Sequence, residues 1–288
     1  MRKAAFASLV LVTLLALWLM PAAAAGPAGM RLYVFTSGSL GGFPKAALQI
    51  GGQGNIDWAP VGFYVIKHPK GNVLFDTGNN DRTIADPAGW WGPLAKGFGL
   101  KMTPNDAIDV QLARIGLKPD EIKYVILGHM HLDHAGNMSK FPKATFVIQN
   151  DELRAAWWPD PGYSIYYIPG DFAESKNYNI IRLNGDLDLF GDRSVEVIRA
   201  PGHTPGSQFA VVRLPKTGTV VLTSDVVYLK ESLEKNLIPP IPGTWSPMGM
   251  YEGYQKVRHI RDSESASIFF AHDPEVFKAT KHAPDYYE

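Results

Sequence analysis

Four potential metal ligands fall within six residues in the stretch 125–138: His129, His131, Asp133 and His134. The apolar run before them reads as a buried strand that Gly128 ends. In an extended turn His129 and His131 point the same way, because side chains alternate with period two. Asp133 and His134 then serve a second direction. That arrangement suits two neighbouring cations better than one. The bland alternative is a polar surface loop. Imidazole is a common metal ligand, however, and four ligands this close would otherwise repel or sit idle.

Three further candidates stand far along the chain, each directly after an apolar strand. His203 lies on a Gly/Pro-rich loop, 200–207, behind the strand at 195–199; Asp225 follows a strand at 219–223, and His272 follows one at 267–271. A fold that brings strand ends together gathers them all at one rim. His272 alone would be weak evidence, and it gains weight as the last member of a set. Five of the eight histidines belong to this set. His68, His259 and His282 have no such context and read as ordinary surface histidines. Asp76, in Asp76-Thr77-Gly78, closes another strand, where an acidic side chain often forms a turn with nearby backbone.

The elements that must position these residues are legible in outline. Residues 30–36 read as a first strand, and the glycine-rich, patternless 37–57 as a long loop. Strands at 61–66 and 73–77 flank the hairpin signal Pro69-Lys-Gly-Asn72. Thr103-Pro104 offers an N-cap with proline at the first helical position, and Ala107, Val110, Leu112, Ala113 and Ile115 supply one apolar face before Gly116. Strands follow at 124–127 and 144–148, a short helix at 152–157, and paired strands across 183–200. Two more strands, at 209–214 and 219–223, precede a helix from Ser246-Pro247 to about Arg261. The strand at 267–271 and a short helix capped by Asp273-Pro274 close the chain. Trp90, Trp91, Trp157, Trp158, Tyr163, Tyr166, Tyr167 and Trp245 lie in irregular segments. Singly each reads as packing; collectively they are candidates for an apolar substrate pocket.

Met1-Arg2-Lys3, the apolar run 4–20 and the small-residue end Pro21-Ala-Ala-Ala-Ala25 read as a secretory signal peptide cleaved near Ala25, in preference to an uncleaved anchor. The expected organisation is therefore a leader, 1–25, and one domain, 26–288, in the periplasm or outside the cell. The formal charge is +0 over the whole chain, so losing Arg2 and Lys3 leaves it slightly acidic. Without a basic block, nucleic acid is excluded as an expected partner. No later run is apolar and long enough to suggest a membrane span. There is no cysteine, so stability rests on the core and any metals rather than disulfides.

The string His129-x-His131-x-Asp133-His134 resembles the signature of the metallo-β-lactamase superfamily of hydrolases, and the likeness extends over nearly all of the chain after the leader. It implies a four-layer αβ/βα sandwich of two mixed sheets packed face to face, helices outside and metals at one rim. It also implies a ligand partition. One cation would take His129, His131 and His203, the other Asp133, His134 and His272, with Asp225 bridging, and Asp76 would orient the ligand loop. Every ligand is nitrogen or carboxylate oxygen, which suits two zinc ions, with iron, manganese or cobalt as alternatives. Iron-binding relatives usually carry an acidic residue where His131 stands, which favours zinc. Two such cations make a hydroxide nucleophile available at neutral pH and polarise the carbonyl under attack. Asp133 would also guide the leaving-group proton.

Tyr228, three residues after Asp225, resembles the pattern of acyl-homoserine lactone lactonases, in which this hydroxyl holds the lactone carbonyl. The resemblance implies a secreted, metal-dependent lactonase that opens N-acyl homoserine lactones and so quenches quorum signals. The alternatives are another hydrolase on the same metals, acting on an organophosphate, phosphodiester, thioester or β-lactam, and a zinc-binding protein without turnover. Expected partners are a small-molecule lactone or ester and, left open, a second copy of the chain as a homodimer. No membrane partner is expected once the leader is removed.

Overall fold

The strands pair into two mixed sheets whose facing residues interlock. A computed structural model describes residues 25–288. The expected leader, but for Ala25, lies outside the described residues. No described helix is long and apolar enough to cross a membrane.

The first sheet begins with β1 (Arg31–Leu40). A small ribbon of β2 (Phe43–Pro44) and β3 (Asn55–Ile56) leads to β4 (Ala59–Lys67), which runs antiparallel to β1. β1 is longer than the 30–36 read from the sequence. A register shift between Thr36 and Ser39, with Gly38 at φ 88°, carries the pairing past the point where the apolar alternation lapses. β5 (Asn72–Phe75) turns back on β4 through the expected hairpin. A helical excursion follows: α1 (Pro87–Trp91), α2 (Pro93–Gly97) and α3 (Ile108–Ala113). The Thr103 cap is real, but Pro104–Asp106 forms only a 3₁₀ turn. Extended backbone at Ala107, ψ 137°, delays the α-helix to Ile108. Its buried face is accordingly Ile108, Gln111 and Leu112, while Val110 is exposed, contrary to the expected stripe. β6 (Ile122–Ile126) and β7 (Thr145–Gln149) then join in parallel, and after α4 (Asn150–Trp157) and α5 (Pro169–Phe172) comes β8 (Asn179–Leu183), a strand the sequence pattern did not reveal. The order is β1-β4-β5-β6-β7-β8, with β5 to β8 parallel.

The second sheet comprises β9 (Leu187–Asp188), β10 (Val195–Arg199), β11 (Gln208–Leu214), β12 (Gly218–Leu222) and, beyond α6 (Lys230–Lys235) and α7 (Pro247–Glu264), β13 (Ser267–Phe269), before α8 (Pro274–Ala279). Its order is β13-β12-β11-β10-β9.

Period-two alternation divides each strand between two layers. Val34, Tyr64, Phe75 and Ile126 meet Val197, Ala210, Val212 and Leu222 between the sheets. Phe35, Phe63, Val65 and Phe146 face outward onto Ile108 and Leu112 of α3. Phe209, Val211 and Val221 pack on Met250, Tyr254 and Val257 of α7. The result is helix, sheet, sheet, helix, as the resemblance implied. β10 and β12 are both antiparallel to β11, and β13 is parallel to β12. The carboxyl ends of β10, β12 and β13 therefore share an edge, and β5 and β6 end at the same rim of the sandwich.

Candidate metal centre

Two glycines set how closely the loops at this rim approach. A Cβ on Gly128 would stand 2.2 Å from Ser224 Oγ, and one on Gly136 would stand 2.3 Å from the Asn80 nitrogen. Only glycine permits either contact. Asp76 joins the loops. Fully buried at φ 60°, it accepts from the Gly128 N–H at 2.6 Å and from Ser224 Oγ at 2.9 Å, and faces His134 Nδ1 at 2.8 Å. The His134 N–H that donates to Asp76 leaves Nε2 bare on the opposite side of the ring.

The seven residues singled out from the sequence converge. His203 Nε2 lies 3.1 Å from His129 Nε2 and 3.0 Å from His131 Nδ1. His272 Nε2 lies 3.5 Å from Asp133 Oδ2, and His134 Nε2 lies 3.7 Å from the same oxygen. Asp225 stands between the two groups and presents one oxygen to each. Oδ2 is 3.4 Å from His203 Nε2 and 3.8 Å from His129 Nε2; Oδ1 is 3.0 Å from His272 Nε2 and 3.3 Å from His134 Nε2. Carbonyl groups hold two of the rings from behind. His203 Nδ1–H donates to Gly243 O at 2.9 Å, and His272 Nδ1–H donates to Pro60 O at 2.8 Å. Such remote bonds fix which nitrogen is free to ligate.

The electrostatics fit cations here. Burial and then the neighbouring imidazoles push His129 and His131 well below the usual histidine range. Burial opposes charge on His134 too, but Asp225, Asp133 and Asp76 outweigh it and raise that imidazole. Burial would raise Asp225, yet His134 and His272 draw it well below the carboxylate range. His134 Nε2 and Asp225 Oδ1 are buried without hydrogen-bond geometry to any described group. His203 Nε2, about 3 Å from both His129 Nε2 and His131 Nδ1 and beside the Asp225 carboxylate, completes a donor set that a divalent cation would satisfy. His129, His131 and His203 are one cluster able to hold an ion, and Asp133, His134 and His272 are another.

A cavity of about 270 Å³ opens above these residues. Leu40, Phe43, Leu48, Trp91, Phe98 and Leu132 make its apolar wall, and Tyr166 and Tyr228 complete it. The Tyr228 oxygen is 3.0 Å from His203 Nδ1. Burial, then Asp225 and Asp133, push its phenol well above the ordinary range, so it remains protonated. The aromatics thus separate. Trp91 and Tyr166 face this cavity, whereas Trp158, Tyr163, Tyr167 and Trp245 line a different groove that reaches His131 and His203 from another side. Trp157 packs against Phe172 instead, and Trp90 donates to Asp171 at 2.7 Å.

Sequence reasoning missed Glu152. Wholly buried, this carboxylate accepts from the Met130 N–H at 2.7 Å, Thr204 Oγ1 at 2.5 Å, the Gly206 N–H at 3.2 Å and the Tyr167 hydroxyl at 3.2 Å. It therefore fastens the His129–His131 loop to the His203 loop. Its only sequence signal was an acidic residue at a helix start. Two histidines taken as surface residues are not. His68 is buried, 3.1 Å from Ser194 Oγ and stacked on Phe190, because the β4 end folds under the 190–194 turn. His282 is half-buried against Phe277. His259 is exposed on α7, as expected.

Comparison with known proteins gives the same picture. The family model described as Metallo-beta-lactamase superfamily matches residues 56–272. The chain is 33% identical to N-acyl homoserine lactonase AttM of Azorhizobium caulinodans over 263 residues, which cover 90% of this chain and 99% of that protein. It is 32% identical to an N-acyl homoserine lactonase of Bacillus cereus over 234 residues, covering 81% and 89%. Among solved structures, an N-acyl homoserine lactone hydrolase with the product N-hexanoyl-L-homoserine bound at its catalytic metal centre superposes with a TM-score of 0.78 at 26% identity, covering 89% of this chain and 98% of that one.

Proposed function

This chain belongs to the metallo-beta-lactamase superfamily, and we propose that it is a metal-dependent lactonase that opens the ring of N-acyl homoserine lactones. The observation that carries this reading is the position of Asp225, one oxygen toward each cluster, at the floor of an apolar cavity. The likeness to N-acyl homoserine lactonases over most of both chains supports the substrate class.

In this reading His129, His131 and His203 hold one divalent cation, Asp133, His134 and His272 hold a second, and Asp225 is shared. The nitrogen and carboxylate donors favour zinc, with iron, manganese or cobalt as alternatives. Such cations, when bound, supply Lewis acidity, acidifying a water and polarising an ester carbonyl. The chain's own residues do the rest. The apolar wall takes up the acyl arm of a neutral lactone and excludes water. The Tyr228 hydroxyl donates to the carbonyl oxygen as a hydroxide adds to the carbonyl carbon. The ring C–O bond then breaks, and Asp133 guides a proton to the departing alkoxide, leaving a carboxylate and an alcohol.

The leader, cleaved near Ala25, delivers the enzyme to the periplasm or the medium, and N-terminal sequencing of exported protein should begin near Gly26. Protein that still starts at Met1 would refute that part. For the chemistry, metal analysis is paired with a panel of N-acyl homoserine lactone, aryl ester, phosphotriester, phosphodiester, thioester and β-lactam. Two equivalents of metal and preferential lactone opening are expected. Full activity with one metal or none, or preference for another class, would overturn the assignment.

A further inference from the structure

Part of the cavity wall comes from a stretch with little regular structure of its own. Residues 41–54 read Gly-Gly-Phe-Pro-Lys-Ala-Ala-Leu-Gln-Ile-Gly-Gly-Gln-Gly. Glycines at both ends leave its path loosely set by local preference. Yet Phe43, Ala47 and Leu48 of this stretch line the cavity that Tyr228 completes. Their position therefore depends on ties to the rest of the fold. Among the described residues, 45–50 make hydrogen bonds outside their own loop to Glu231, Ser232 and Ile238 alone. Gln49 stands at the centre of these ties. Its side chain is wholly buried and bonded at both ends: Nε2 donates to Glu231 Oε2 at 2.9 Å, and Oε1 accepts from Ser232 Oγ at 2.6 Å. Lys45 also pairs with Glu231, and the Ile50 N–H donates to Ile238 O at 2.9 Å. Bonds from Lys235, Lys45 and Gln49 draw the Glu231 carboxyl down to about 2, so it stays a charged acceptor. A buried amide bonded at both ends is by itself an ordinary core feature. This one links two sides of the cavity, because Glu231 and Ser232 belong to α6, which starts two residues after Tyr228.

We infer that Gln49 is a positioning residue: by fastening this wall to the helix behind Tyr228, it sets the fit of the acyl arm and with it the preference for arm length. This rests on the lactonase reading. With the lactone ring at the metal centre and Tyr228, the arm extends along the apolar wall. A short arm leaves much of that wall untouched, whereas a long arm runs along it. Loosening the wall therefore penalises the long arm more. Each methylene taken out of close contact weakens binding by roughly fourfold. The arm meets the wall in the ground state and the transition state alike, so the effect falls on KM.

The test measures kcat and KM for N-butanoyl and N-decanoyl homoserine lactone in the wild type and two variants. Gln49→Met keeps the length of the side chain and removes both bonds. Glu231→Ala removes the shared partner of Gln49 and Lys45 from a side chain that is 33% exposed. The expected result is that the ratio of KM values, decanoyl over butanoyl, rises about fourfold to fifteenfold in each variant, with kcat within about threefold of the wild type. Metal content and melting temperature are measured in each, and Glu231→Ala decides if Gln49→Met folds poorly. An unmoved ratio, whether both lactones lose equally or neither loses, would return Gln49 to an ordinary core amide and overturn the inference. A loss carried by kcat instead of KM would overturn it too. Failure of the wild type to open either lactone is a separate result: it removes the lactonase reading, and this inference with it.

Discussion

The proton on His203 Nδ1 is directed at the Gly243 carbonyl, while the Tyr228 oxygen stands 3.0 Å from the same nitrogen. That oxygen can accept, so its own proton remains available to a substrate oxygen. Removing one donor from a preorganised site can cost roughly a hundredfold in rate. Metals sharing the charge reduce that, so Tyr228→Phe should lower kcat about tenfold to a hundredfold with metal content unchanged. Equal kcat/KM at equal occupancy would return Tyr228 to a packing role. Glu152 acts at one remove. Burial raises its carboxyl against the bonds from Thr204, Met130, Tyr167 and Gly206 that favour the charged form. Glu152→Gln turns one acceptor oxygen into a donor that faces donors. Partners that orient ligand loops typically contribute ten- to a hundredfold in metal affinity, and a loss in that range is expected for the variant in competition titrations with a chromogenic chelator. Unchanged affinity would show that the two loops hold without it.

Among the elements, α5 and α1 depend on one buried acid. Asp171 of α5 accepts from Trp90 of α1 at 2.7 Å and from Asn80 at 2.8 Å, and this tie sits beside the Trp91 wall. Burial pushes its carboxyl up to about 7, against Trp90, Asn80 and Arg82. The folded chain holds this proton more tightly than the unfolded chain, in which aspartate titrates near 4. The group's contribution to stability is therefore full below about pH 4 and is lost as pH rises toward 7, by up to about 4 kcal/mol. Asp171→Asn keeps an acceptor for Trp90 and removes the titration. Relative to the variant, the wild type should lose melting temperature between pH 4.5 and 8; parallel curves would refute this. The strands were legible because apolar runs such as 61–66 and 124–127 are local patterns, and so was the ligand loop, whose four donors are contiguous. Asp171 and Glu152 were not, since burial of an acid depends on distant segments closing over it. The cavity wall was hidden for the same reason. Leu40, Phe43 and Leu48 lie in the glycine-rich stretch read as loop, and only packing on Trp91 and Leu132 gives them an inside.

At the scale of the whole molecule, the centre is a joint between the two sheets. His129, His131, Asp133 and His134 follow β6 of the first sheet, while His203, Asp225 and His272 follow β10, β12 and β13 of the second. Each cluster draws on both sides: His203 meets His129 and His131, and His272 meets Asp133 and His134. No disulfide can perform this linkage, because the chain has no cysteine. A cation that binds the folded state alone stabilises it by mass action, about 4 kcal/mol at a thousandfold excess over Kd. In a domain of this size that corresponds to roughly ten degrees of melting temperature. Stripping the metals with a chelator should therefore lower the melting temperature by about that much, and zinc added back should restore it. The same treatment applied to Asp225→Asn should shift the midpoint less, because the shared carboxylate is already lost and the starting occupancy is lower. The measurement is calorimetry with metal content determined before and after chelation. If verified removal leaves the midpoint unmoved, the sheets are held by their packed interface alone, and the seven residues at the rim are poised for chemistry without contributing to the fold.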